Sequence, residues 1–162
     1  MYQYLSEDDC VSEERKAFLD AAFDKHLGAE AARDIPGAVD TFAEGGYLDF
    51  NGEVYDTPKD LETFHNCLGF ADLESGLLLN FAIEDLTKNY SQNWITVEYD
   101  AIGDVNVSFG GEPTGRTARW KIVVVYLFDD EGMLVEERAC FDSGGLLSEP
   151  VIPEFTADHS GS

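Results

Sequence analysis

Among the many ionisable side chains of this sequence, a small set is placed by type and spacing where it could do chemistry. Asp142 follows Phe141 at the end of an apolar run. Strand alternation places it on one face with Cys140, Arg138 and Glu136, opposite Phe141, Ala139 and Glu137. A carboxylate against apolar neighbours has its charged form disfavoured, which makes it a stronger base. The same residue could instead cap the Ser143-Gly144-Gly145 turn by accepting backbone hydrogen bonds. Asp49 is a second carboxylate, on a short strand where the alternative is a solvated residue. His65 shares a helical face with Leu61, Phe64 and Leu68, either as a pocket donor or as a satisfied core histidine. Arg119 and Arg138 stand out in a chain with only 10 Lys plus Arg. Each can neutralise neighbouring carboxylates or anchor a substrate oxygen. Trp94, Trp120, Tyr126 and Phe128 read as core, and at a pocket lip core and ligand platform merge.

Other chemistries find no support in the spacing. Cys10, Cys67 and Cys140 are an odd, dispersed set without a C-x-x-C, as expected of reduced thiols rather than a disulfide framework or zinc site. His26, His65 and His159 are equally scattered, so no metal cluster is legible from spacing. There is no nucleophile elbow and no phosphate loop. The sequons at Asn89 and Asn106 read as chance matches, because the first residues carry no export signal.

The elements that must position these residues fall into two halves. Ser12, Glu13 and Glu14 form a helix start, and Phe18, Leu19, Ala22, Phe23, His26 and Leu27 recur at three-and-four spacing, predicting a helix to about residue 32. Asp34 before Ile35-Pro36 caps a short second helix that Gly45-Gly46 should end. Tyr47 to Phe50 reads as a short strand, Asn51-Gly52 as a hairpin turn, and Thr57-Pro58 as the start of a third helix. From residue 77 the period changes to two. Leu77 to Leu86, Trp94 to Ile102, Thr117 to Phe128 and Leu134 to Phe141 are the expected strands, the last two joined at Gly132 as an antiparallel hairpin. Helices first and strands later predict an α+β fold, with helices on one face of an antiparallel sheet.

The 162 residues are expected to form a single domain, with a core over about 12–148 and an irregular tail from 149. Asp plus Glu number 33, giving a net charge of −23. That excess argues against nucleic acid or an anionic membrane as a partner, since both require basic surface. No apolar run is long enough to span a bilayer. The acids are spread along the chain, as in a salt-adapted cytoplasmic protein, the alternative being an ordinary acidic one.

Several stretches together resemble the SnoaL-like polyketide cyclases of the nuclear transport factor 2-like superfamily. They are Tyr47-Leu48-Asp49-Phe50, Gly69-Phe70-Ala71-Asp72-Leu73, Glu112-Pro113-Thr114-Gly115-Arg116 and Glu136-Glu137-Arg138-Ala139-Cys140-Phe141-Asp142. The resemblance implies a cone: a curved sheet wrapped around the N-terminal helices, with an apolar pocket at one end. It further implies cofactor-free general acid/base catalysis, of cyclase or isomerase type, on an apolar carbonyl compound. The alternatives are a non-catalytic pocket protein for a small apolar ligand and a dimerising interaction module of the same fold. On this reading Asp142, His65 and Arg138 carry the chemistry, while Asp49, Trp94, Trp120 and Phe64 contact substrate. Apolar residues on both faces of Trp120 to Phe128 lead us to expect a homodimer.

Overall fold

A computed structural model describes residues 11–68, 78–106 and 113–141. The first helix, α1, spans Glu13–Ala31; the Ser12 hydroxyl accepts from the Arg15 N–H, and Glu13 and Glu14 sit in the first turn. Leu19, Ala22, Phe23, His26 and Glu30 face inward, forming one stripe in which residues three or four apart stack along the helix. The short α2, Ile35–Val39, is capped by Asp34, whose carboxylate accepts from the Gly37 N–H. In α3, Pro58–Leu68, Thr57 accepts from the Asp60 N–H and returns its hydroxyl proton to the Asp60 carboxylate.

Six strands follow the order β2-β1-β6-β5-β4-β3. They are β1 (Phe42–Phe50), β2 (Glu53–Tyr55), β3 (Leu78–Tyr90), β4 (Trp94–Asn106), β5 (Pro113–Phe128) and β6 (Leu134–Phe141). The helices cover one face of this open, curled sheet, α1 packing against β4 and β5. On that face β4 contributes Ile95, Val97, Tyr99 and Ala101, and β5 contributes Trp120, Ile122, Val124, Tyr126 and Phe128. The alternation is strict because only one face is dry. Asn51 and Gly52 both adopt positive φ, at 53° and 92°, and turn β1 back onto β2 as the Asn-Gly pair predicts.

The strands β3, β4 and β5 each run four residues past the expected bound at one end, to Tyr90, to Asn106 and from Pro113, and two further features depart from the sequence reading. The first strand begins at Phe42, not Tyr47, and Gly45-Gly46 lies within it as an irregularity in the β1–β6 register. Gly45 takes φ 76°, and a Cβ on Gly46 would stand 2.6 Å from the Leu134 carbonyl oxygen, so the glycines bend a strand rather than end a helix. The sheet is also mixed, because β1 runs parallel to β6 while every other pairing is antiparallel. Asn51 extends this parallel join: its amide donates to the Phe141 carbonyl at 2.9 Å and accepts from the Phe141 N–H at 3.0 Å.

Candidate functional site

Four ionisable side chains meet inside the fold where α1, α3 and β6 converge. His26 and His65 are 0% exposed, Glu30 7% and Glu137 6%. One turn of α1 separates His26 from Glu30, placing both on the face that packs on the sheet. Glu137 reaches the interior because the inward face of β6 is the one shared by Ala139, and its sheet neighbours are Leu48 on β1 and Tyr126 on β5. His26 Nε2 stands 3.4 Å from Glu30 Oε1 and 3.3 Å from Glu137 Oε2, and His65 Nε2 stands 3.3 Å from Glu30 Oε1.

The far nitrogen of each ring is anchored. The Thr41 hydroxyl donates to the Ala38 carbonyl at 2.6 Å, so it accepts from His26 Nδ1–H at 2.7 Å. His65 Nδ1–H donates to the Leu61 carbonyl at 2.6 Å. Both imidazoles therefore turn Nε2 toward the carboxylates. Burial opposes charge on His26, yet Glu30 and Glu137 hold its pKa well above the ordinary imidazole range. Burial likewise opposes charge on Glu30, and His26 and His65 outweigh it, holding that carboxyl well below the usual range. The His65 pKa is raised against its burial by the same carboxylates. Burial, reinforced by Glu137, keeps the Tyr126 hydroxyl neutral, and burial beside Glu30 does the same for Tyr99.

An aromatic wall adjoins the cluster. Phe64 stands edge-on to His65 at 5.4 Å, Phe50 meets Phe64 and Phe141 at 4.8 Å each, and Tyr55 packs on Phe64 at 5.0 Å. Phe50, Tyr55 and Phe141 are only partly buried, so the wall offers apolar surface for contact.

Of the residues singled out from sequence, His65, Phe64 and Trp120 lie in the interior. Asp49 accepts from the Gly52 N–H at 2.7 Å in the β1–β2 turn. Arg138 is half exposed and pairs with Glu136, on the outward face that Cys140 shares. Trp94 is exposed. Asp142 lies outside the described residues. Spacing suggested no metal cluster, but folding brings the ligand atoms of His26, His65 and Glu137 within 4.8 Å of one another. Glu30 and Glu137 were not singled out. Their signal was an acid on an apolar stripe: Glu30 continues the His26 face of α1, and Glu137 shares its parity with Ala139 and Phe141.

No family model matches the chain, and no curated protein matches it either. Solved structures do. A candidate polyketide cyclase from Xanthomonas campestris pv. campestris superposes with a TM-score of 0.65 at 14% identity, covering 79% of this chain and 93% of its own. A phenazine biosynthesis-related protein from Pseudomonas aeruginosa gives 0.64 at 15% identity, covering 93% and 99%. A nuclear transport factor 2-like protein from Burkholderia xenovorans LB400 gives 0.64 at 15% identity, covering 80% and 93%. The chain thus has the nuclear transport factor 2-like fold, the cone that the SnoaL-like resemblance implied. Among the described residues, no helix is long and apolar enough to cross a membrane.

Proposed function

We propose that this protein is a small-molecule enzyme of cyclase or isomerase type, acting by proton transfer on an apolar carbonyl compound. One observation carries the reading. Two histidines and two glutamates are buried together beside an aromatic wall, in a fold interior where replacing such a group by packed apolar residues would often be neutral or stabilising. Groups held against that tendency mark sites of chemistry. In this scheme Asp142, which follows the wall residue Phe141, takes the proton from carbon, and His65 with its neighbours in the cluster polarises the carbonyl oxygen as negative charge develops there. Phe64 and Trp120 supply apolar contact. Arg138 would instead steady Glu136, its partner on the outward face.

The direct test follows hydrogen at carbon. Polycyclic aryl ketones incubated with the protein in deuterated buffer are expected to exchange their α-hydrogens faster than in buffer alone, as read by proton NMR. Asp142→Asn should slow that exchange by roughly 100-fold while leaving ketone binding largely intact. Tight binding without any exchange would make the chain a ligand-binding protein instead.

A further inference from the structure

Two carboxylates in a dry interior require compensation, since an isolated buried charge is very costly. Two fillings leave the cluster neutral: a proton on each Nε2, or neutral imidazoles around a divalent cation. The distances separate these possibilities. Charge-assisted N–H···O⁻ bonds contract to about 2.7–2.9 Å, whereas the three Nε2–Oε separations here are 3.3–3.4 Å. His26 Nε2 and Glu137 Oε2, both fully buried, face each other at 3.3 Å without closing to a short hydrogen bond. Around an ion with bonds of about 2.0–2.1 Å, the edges of a tetrahedron are about 3.3–3.4 Å long; three of the six edges have that length here, and the ligand atoms of His26, His65 and Glu137 lie within 4.8 Å of one another, so the fourth donor and the remaining edges would close on the ion.

We propose that His26 Nε2, His65 Nε2, Glu30 and Glu137 enclose a divalent first-row cation of the zinc type. The imidazole–carboxylate donor set suits such an ion. Its supporting shell is in place, because each ring donates Nδ1–H to an anchored acceptor, Thr41 Oγ1 or the Leu61 carbonyl. An acidic cavity lies next to the cluster, with Phe42 between them. A cavity of about 340 Å³ is lined by Asp40, Glu44 and Asp56, carboxylates that attract cations, together with Phe42 and Leu61. Phe42 packs edge-on against both imidazoles, at 5.5 and 6.4 Å, so the cavity adjoins the cluster. Binding stands on this donor geometry alone. With four protein donors the ion would have no open position for a ketone oxygen, so its part in the reading above would be to fix the histidines and carboxylates beside the aromatic wall.

The test uses the full chain, stripped with chelator and titrated with Zn²⁺ by calorimetry and with Co²⁺ by visible absorption. One ion per chain and the intense visible bands of four-coordinate Co²⁺ are expected. Thr41→Val keeps all four donors and should weaken binding by about 10–100-fold; His26→Gln and Glu137→Gln should weaken it at least as much. The proposal is overturned by absent stoichiometric uptake, by a weak six-coordinate Co²⁺ spectrum, or by uptake unchanged in His26→Gln, which would assign the ion to surface acids. Should the variants fail to fold, the wild-type Co²⁺ spectrum decides alone. Ion binding without ketone exchange would end the enzyme reading but keep the site; exchange by a chain that takes up no ion would do the reverse.

Discussion

The two faces of β5 handle charge in opposite ways. Outward, Arg119 reaches Asp100, Glu84 and Asp85 at 2.8–3.3 Å, and Lys121 reaches Asp100 at 2.7 Å and Glu98 at 3.4 Å. Inward, Tyr126 stands beside Glu137, and the His–Glu separations are 3.3–3.4 Å. The outer pairs are as short as the inner ones or shorter, yet weaker, since water screens them and exposed ion pairs contribute about 0–1 kcal/mol. Inside, nothing replaces a missing partner, so dielectric environment outranks contact distance in deciding what an ion pair is worth.

The largest break in that comparison comes from removing one inner partner. In chelator-treated protein, Glu137→Gln should cost about 3–5 kcal/mol in urea denaturation, because His26 and His65 then face one carboxylate. Replacing His26, Glu30, His65 and Glu137 together by leucine should instead leave stability near or above wild type while abolishing ketone exchange. A quadruple variant as unstable as the single one would show that the cluster holds the fold together.

The outer network should yield less. Arg119→Ala is expected to cost under about 1 kcal/mol despite its three carboxylate neighbours. With a net charge of −23, the melting temperature of both proteins should rise toward molar NaCl and the gap between them close. A melting point that falls or stays level with added salt would refute the screened-coat reading.

Asp20, on the flank of α1, should give the smallest effect. Burial opposes its ionisation, but Lys88 and Tyr90, bonded at 2.7 and 2.8 Å, hold its pKa below the ordinary value. A depressed folded pKa adds stability above the unfolded value of about 3.9, and that stability is lost as pH falls through the folded pKa. Asp20→Asn should therefore be slightly less stable than wild type at pH 7, with the two curves converging below about pH 4. A difference that persists in strong acid would assign the effect to packing.

Much of the fold was legible because local periodicity writes it. The inward stripe of α1, the caps at Ser12, Asp34 and Thr57, the Asn51-Gly52 hairpin and the alternation of β6 all stand in the structure where spacing placed them. Gly45-Gly46 misled, because two glycines mark a bend equally well inside a strand and after a helix. The site was less legible. His65 was visible on an apolar face, whereas Glu30 and Glu137 read as ordinary members of a chain with 33 acids.

The sequence by itself determined the elements, their inward faces and the charge of the surface, since each depends on residues within a few positions of one another. Only the tertiary structure decided that β1 lies parallel to β6, and that His26, Glu30, His65 and Glu137 share one centre. Those residues come from α1, α3 and β6, with more than 100 positions between the first and last. No local pattern spans that distance; closing the sheet over the helices brings them together and removes the water that would otherwise separate them.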